Sequence, residues 1–591
     1  MKQFFKFFFA SMLGFIIGTV VLFFLFIFIL SASVSSMSKT DVKISENTVL
    51  HLKLDEALRE RSSNNPFEDF NFSNFESNHQ PGLNDILKNI SKASKDENIK
   101  GIYMDVPMVR GGIASVEEIR NALIDFRKSG KFIYAFADNY SQGGYYLATA
   151  ADKIYLNPQG QVLLNGMATE LMFFKGSLEK LEIEPQVIRH GKFKSAIEPF
   201  ILDKMSDENR TQIAAFVDPI WKHMTDEICK ARKISPEALK GIADSLSVRT
   251  AEDALRYKLV DKLAYYDEFT TALNTKAGLK DDDDLKLISL SKYKKVPEKR
   301  EKGSTLAKDK IALIYAVGSI GDGEGSEDEI GSDKLAAAIR EARKDKKVKA
   351  IVMRVNSPGG DALASEEIWR EVVLARKAKP FIVSMGDLAA SGGYYISCAA
   401  DQIVAQPNTL TGSIGVFGLL FNAEKMFKNK LGITVDTYKT NPYTDMGTAT
   451  RSLTSSEYAI LQSEVDRIYN VFTSRVAEGR KMKQAMVDSI GQGRVWSGVN
   501  AIQLGLVDTL GGIQTAINIA AKKAGLTDYR ITQLPEQKDP VEALLSDFST
   551  QAKVSIMQEE TGDQYKYIAS LKQILKLKGV QALSPYYVRF D

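Results

Sequence analysis

The sequence predicts an α/β protein built from two tandem copies of one domain, preceded by one N-terminal transmembrane helix. Three observations predict it. Residues 142–154, QGGYYLATAADKI, recur as residues 391–403, SGGYYISCAADQI, with eight of thirteen positions identical at an offset of 249. Within each copy, short apolar strands alternate with helical stretches, the pattern of parallel strands joined by crossover helices. At the start of the chain, no charged residue falls between Phe7 and Leu30.

That uncharged run amounts to roughly 36 Å of helix at about 1.5 Å per residue, against a hydrocarbon core of about 30 Å. A cleaved signal peptide is the rival, with Ser31-Ala32-Ser33 as small residues, but its apolar region spans only about 7–15 residues. Lys2 and Lys6 precede the run, and Lys39 and Lys43 follow it together with Asp41. The positive-inside bias is mild and favours a short basic tail inside, with the large domains on the outer side of the membrane. The expected organisation is an anchor over 1–36, a first domain over 45–279, a link over 280–309, a second domain over 310–526 and a C-terminal extension over 527–591.

The duplication extends beyond the matched thirteen residues. DVPMVRGGIASVEEI (105–119) aligns with RVNSPGGDALASEEI (354–368) at the same offset, and ALRYKLVD (254–261) with AIQLGLVD (501–508) at an offset of 247. The period is far above that of solenoid repeats, so a whole domain is repeated. The stretch from 60 to 82 is aromatic but rich in Asn, Ser and acid, and reads as a surface loop. The tail carries a short amphipathic helix near Ile568–Leu577. A net charge of +3 offers no electrostatic case for nucleic acid. The two cysteines, Cys229 and Cys398, exclude a disulfide framework by number and show no metal-ligand spacing.

In the second copy the strands are expected at Ile311–Ala316, Ala350–Val355, Phe381–Ser384 and Gln402–Ala405. The helices are expected at Ser332–Lys344, Ser365–Lys377 and Gly392–Ala400. Functional groups in such a sheet gather where strands end and helices begin, after Val355 and after Ser384. The second of these turns holds Ser391 before a glycine pair. A hydroxyl held at a sharp turn, beside the free N–H groups of a helix's first turn, suits an acyl-transfer nucleophile and its oxyanion. The plainer role for Ser391 is an N-cap. The two copies differ here in an informative way: Gln142, which cannot be activated as a nucleophile, stands opposite Ser391, and the sequence PMVRGG at 107–112 stands opposite NSPGGD at 356–361.

A serine nucleophile needs a base. The four histidines, His51, His79, His190 and His223, all lie in the first half, so a Ser-His-Asp triad within the second domain is impossible. Either His190 reaches across or a neutral lysine serves. Lys192 and Lys194 stand among Phe193, Ala196, Ile197, Pro199 and Phe200, surroundings that lower a lysine pKa by desolvation. The repeat places Tyr443 opposite Lys194, so each half keeps one partner of a Ser–Lys pair.

Taken together, ASGGYY at 390–395, NSPGGD at 356–361, FKSAIEPF at 193–200 and TGSIGVFG at 411–418 resemble the long, duplicated form of bacterial signal peptide peptidase SppA (protease IV). The resemblance runs from the anchor to about residue 525. It implies two tandem Clp/crotonase-like domains of repeated ββα units, Ser391 as nucleophile and Lys194 as general base. It also implies a homo-oligomer enclosing its sites at the outer face of the bacterial inner membrane. The expected oxyanion donors are backbone N–H groups near Gly359, Gly360 and Gly392, and Ser413 is the candidate to aim the lysine. The substrates implied are extended apolar peptides such as cleaved signal peptides, with membrane lipid as the partner of the anchor, and neither a metal nor an organic cofactor. A crotonase-type acyl-CoA enzyme and a non-catalytic membrane scaffold are the alternatives.

Overall fold

The computed structural model describes residues 2–38, 44–62, 70–71, 76–77, 81–280, 284–297, 307–326, 329–537 and 580–583. The helix expected near Ile568–Leu577 and most of the loop from 60 to 82 lie outside these residues. A helix spans Lys2–Ser38. Its side chains are described without a break only over residues 3–19, and among the described residues no helix is long and apolar enough to cross a membrane.

The first half supplies β1 (Thr48–Lys53), the short antiparallel pair β2 (Phe70–Asn71) and β3 (Glu76–Ser77), β4 (Ile99–Asp105), β5 (Phe132–Tyr140), β6 (Lys153–Val162), β7 (Glu184–Arg189), β8 (Lys262–Leu263) and β9 (Leu287–Ser289). The second half supplies β10 (Lys310–Val317), β11 (Ser319–Gly321), β12 (Glu329–Gly331), β13 (Val348–Ser357), β14 (Gly359–Asp361), β15 (Phe381–Ala390), β16 (Gln402–Ala405), β17 (Leu410–Gly412), β18 (Phe417–Asn422), β19 (Val495–Ser497), β20 (Thr509–Leu510), β21 (Arg530–Leu534) and β22 (Val580–Leu583).

The first sheet runs β8-β6-β5-β4-β1-β9, all parallel. The second repeats this order as β20-β16-β15-β13-β10-β21, again parallel, with β17 and β19 continuing from β15. Central strands read as unbroken apolar runs because helices cover both faces; in β13 all but Lys349 and Asn356 are buried. The covering helices follow the 3.6 period. Ser332–Lys344 buries Leu335, Ala338, Ile339 and Ala342, with Asp333 in its first turn and Arg343 and Lys344 in its last, as the helix dipole favours.

The structure departs from the sequence-based expectations in three places. Residues 287–294, expected to be part of the link, form β9 and the helix Leu290–Lys294, and β9 pairs with β1. Its counterpart β21, in the expected extension, pairs with β10, so the repeat continues to Leu534. A third sheet, β12-β11-β14-β22-β18-β7, draws on both halves: β7 of the first pairs antiparallel with β18 of the second from Arg189 against Phe417 to Glu184 against Asn422. These strands are short and irregular, with no clear alternation to reveal them.

Candidate active site

β15 ends at Ala390, and Ser391 follows with φ 56° and ψ −114° before the helix Gly392–Ser397. This is the conformation of the first central residue of a type II′ turn, where glycine is the usual occupant. In the first copy the chain is relaxed at this point: Gln142, the counterpart of Ser391, is the first residue of the helix and has no positive φ, and the residue before it, Ser141, takes φ −64° and ψ 163° and accepts from the Gly144 N–H. Strain is present only in the copy that carries the serine, a distribution typical of functional sites. The Ser391 side chain makes no capping hydrogen bond, which removes the plainer reading.

Lys194 enters from the first half, five residues beyond β7, and pairing of β7 with β18 delivers it to the second. Its Nζ donates to Ser391 Oγ at 2.8 Å, to Ser413 Oγ at 3.1 Å and to the Ser413 carbonyl at 3.4 Å. Lys194, Ser391 and Ser413 are all buried. Desolvation lowers the Lys194 pKa to about 7. The space it fills is made by two glycines of the second half. A Cβ on Gly415 would fall 3.3 Å from Lys194 Cδ, and one on Gly493 would fall 2.7 Å from Lys194 Cα. Of the apolar run expected to desolvate the lysine, Ala196, Ile197 and Phe200 cluster with Phe417 and Leu419. Phe193 instead lies under the Arg494 guanidinium, 3.8 Å from its carbon, and Lys192 is exposed. Gly415 belongs to TGSIGVFG at 411–418, whereas nothing in the sequence around Gly493 marks it.

His190 does not reach the serine. Its Nδ1 lies 2.7 Å from Asp466 Oδ1, and its ring stacks on Tyr469 with centroids 3.9 Å apart. Tyr443 is half-exposed. In the first copy the matching pocket is plugged: Gln142 Nε2 donates to the Gly166 carbonyl at 3.0 Å, and its Oε1 accepts from the Asn165 and Gly166 N–H groups. Gly166 is the counterpart of Gly415, whose carbonyl accepts from Ser391 Oγ at 3.4 Å.

Gly359, Gly360 and Gly392 converge beside Ser391. A Cβ on Gly392 would fall 3.1 Å from both the Gly359 Cα and the Gly360 nitrogen. The Gly359 N–H donates to Ser357 Oγ at 3.1 Å, which corrects its expected part: it supplies room through its φ of 97°, and the Gly360 and Gly392 amides are left as the candidate oxyanion donors. Nothing in the sequence marks Ser357, whose role depends on the turn into β14. Open clefts lie around Glu366, Trp369 and Arg475, and β22 pairs along the groove beside Gly359.

The model of peptidase family S49 matches residues 125–280 and 374–527, one stretch in each half. Protease 4 of Salmonella typhi is 42% identical over 460 residues, covering 76% of this chain and 73% of its own. Protease 4 of Haemophilus influenzae is 33% identical over 580 residues, covering 96% and 92%. The chloroplastic serine protease SPPA of Arabidopsis thaliana is 35% identical over 467 residues, covering 78% and 68%. Among solved structures, a ClpP1 mutant from Listeria monocytogenes overlaps 35% of this chain at 14% identity with a TM-score of 0.24, too loose an overlap to bear on the fold.

Proposed function

The chain belongs to peptidase family S49 and is a serine peptidase, and from that premise we propose that it is a membrane-anchored endopeptidase in which Ser391 is the nucleophile and neutral Lys194 the general base. The observation that carries this reading is the 2.8 Å approach of Lys194 Nζ to Ser391 Oγ in a buried pocket that holds the amine near neutrality. Lys194 takes the hydroxyl proton, and the alkoxide attacks a peptide carbonyl. The Gly360 and Gly392 amides hold the oxyanion, and Lys194 returns the proton to the leaving amine. Water then hydrolyses the acyl-enzyme with Lys194 again as base. Ser413, 3.1 Å from the amine, aims it. The acyl-CoA alternative falls with the family assignment.

The groove between β14 and β18 takes an extended strand, since β22 pairs with both of its edges, and that geometry suits an extended peptide bound by strand addition. Cleaved signal peptides and similar apolar peptides fit such a groove. The uncharged run Phe7–Leu30 within the helix Lys2–Ser38 supports a single-pass anchor in a bacterial inner membrane, with the domains on the outer side.

The repeat also supports a homo-oligomer. The offset of 249 makes Ile433–Tyr438 the counterpart of β7, and residues 168–173 the counterpart of β18. Neither is a strand of the three sheets, and Ile433, Val435 and Tyr438 are 51%, 55% and 93% exposed. Joining one chain's 433–438 to the next chain's 168–173 would repeat the β7–β18 pairing head to tail, the heterologous contact from which a ring is built when its rotation closes.

A fluorophosphonate probe tests the assignment. It is expected to label Ser391 in the wild type and to lose at least about 100-fold in labelling rate in Lys194→Ala. Equal labelling of Ser391→Ala and wild type would refute the nucleophile.

A further inference from the structure

Lys194 lies outside any helix or strand. The segment that carries it must be held for the amine to stay at Ser391, and the holding contacts converge on one side chain. Tyr469, buried on the helix Ser455–Arg480, offers a face and a hydroxyl. On its face lies the His190 ring, with centroids 3.9 Å apart and planes 23° from parallel. Its hydroxyl donates to Asp488 Oδ1 at 2.6 Å and accepts from the Gln492 N–H at 3.2 Å. Gln492 sits at φ 54°, a conformation that a non-glycine residue keeps where its surroundings hold it. From this turn the contacts run to the site. The Gln492 carbonyl accepts from the Phe193 N–H at 3.0 Å, the Gly493 N–H donates to the Ile414 carbonyl at 2.7 Å, and the Ser413 N–H donates to the Arg494 carbonyl at 2.7 Å.

The other copy of the domain does without this hydroxyl. Aligned over their 26 residues, the helices Asp207–Arg232 and Ser455–Arg480 place Trp221 opposite Tyr469, and an indole has no oxygen to accept from a backbone amide. The hydroxyl is found in the half that receives the lysine. His190 also pairs with Asp466 at 2.7 Å, but both side chains are more than a third exposed, where such a pair contributes little. The ring contact therefore carries most of the hold on His190. We propose that Tyr469 is a positioning residue for the base: with His190 on its face and Gln492 on its hydroxyl, it locks both ends of the segment that carries Lys194. The inference rests on the Ser391–Lys194 reading above.

A slack segment lets water reach the amine, and the pKa that burial holds at about 7 climbs back toward the ordinary lysine value. Asp466, Asp488 and Arg494 are the charged groups packed about the clamp, and the test leaves all three in place.

Fluorophosphonate labelling of Ser391 in the full chain, followed from about pH 5 to about pH 10, tests this. The wild-type rate is expected to rise through a midpoint of about 7. Tyr469→Phe keeps the ring and loses the hydroxyl. Its midpoint is expected about one unit higher, which lowers the rate at pH 7 about fivefold. His190→Ala should move the midpoint in the same direction, and His190→Phe, which returns a flat ring to Tyr469, should restore it. In hydrolysis of an apolar reporter peptide, kcat of Tyr469→Phe should fall with KM changed much less. A role in folding alone would lower the melting temperature and the whole profile without moving the midpoint, so an unmoved midpoint in Tyr469→Phe overturns the inference. So does a His190→Phe variant shifted as far as His190→Ala. An acid limb that vanishes in His190→Phe would assign the titration to the imidazole and overturn it too. Labelling that survives undiminished in Lys194→Ala, measured in the same series, sinks the proposed function as well.

Discussion

At the scale of single residues, the site depends on two departures from ordinary behaviour, and each predicts a measurement. In water a lysine with a pKa of about 10.4 is neutral in roughly one molecule in 2,500 at pH 7. Burial brings Lys194 to about 7, so about half of the molecules hold a neutral amine at that pH, which the proposed mechanism needs as its base. Only the neutral amine accepts the serine proton. The rate constant kcat/KM is therefore expected to rise about tenfold per pH unit below 7 and to level off above it. A profile that keeps climbing to pH 10 would mean that the amine is not desolvated in solution. The second departure is the backbone of Ser391, at φ 56° and ψ −114°. Holding a non-glycine residue there costs about 1–3 kcal/mol, while glycine's extra freedom in the unfolded chain costs at most about 1 kcal/mol. Ser391→Gly should thus unfold at a higher temperature than the equally inactive Ser391→Ala, by about 1 kcal/mol in stability. A lower melting temperature for the glycine variant would show that the turn is not strained.

At the scale of elements, the part of the site that sequence reveals is the part built from regular strands and helices. The helix at Ser332–Lys344 and the strand at Gln402–Ala405 carry the limits expected from their apolar periodicity, and the relation of Ser391 to Gln142 is written in the repeat. The third sheet was not legible, because β11, β12, β14 and β22 are each only three or four residues long. Their positions are set by backbone pairing across sequence distances that no local pattern records. The same holds for the pocket around Lys194. Its residue types were readable from FKSAIEPF, but the walls come from Gly415 and Gly493, in segments more than 200 residues away. Gly493 gives this a test. A Cβ there would fall 2.7 Å from both the backbone nitrogen and the Cα of Lys194, and φ is 84°. Gly493→Ala should push the lysine segment off the serine, cutting kcat by at least about 100-fold with KM changed much less. Full activity in this variant would show that the contact between the halves at this point does not position the base.

At the scale of the whole molecule, the duplication has become one catalytic unit with a shared interior. Arg354 of the second half is wholly buried, with Nε 2.8 Å from Glu60 Oε2 and Nη1 2.6 Å from Glu118 Oε1, both of the first half. Ser115 donates its N–H and hydroxyl to Asp387 at 2.9 and 2.6 Å, and burial raises the carboxyl pKa values of Glu118 and Asp387. Parting the halves would strip buried charges of their partners, a loss of about 3–5 kcal/mol for a pair broken on one side, and would unzip β7 from β18. Lys194 and Ser391 are therefore held together by the same interface that holds the two halves. Both residues of the 2.8 Å contact belong to one chain, which gives the last prediction its sign. On the proposed assignment, full-length Lys194→Ala lacks the base at its own site, and full-length Ser391→Ala lacks the nucleophile. If neighbouring chains supplied one another, mixing the two would create intact sites in a fraction of the assemblies, and activity would return with mixing time and concentration. With the pair formed within each chain, every site in every mixed assembly lacks one partner, and reporter hydrolysis should stay at the level of the separate variants at all ratios. Recovery of a quarter or more of wild-type activity on mixing would place the pair across a subunit boundary and reassign β7 to a neighbouring chain's β18.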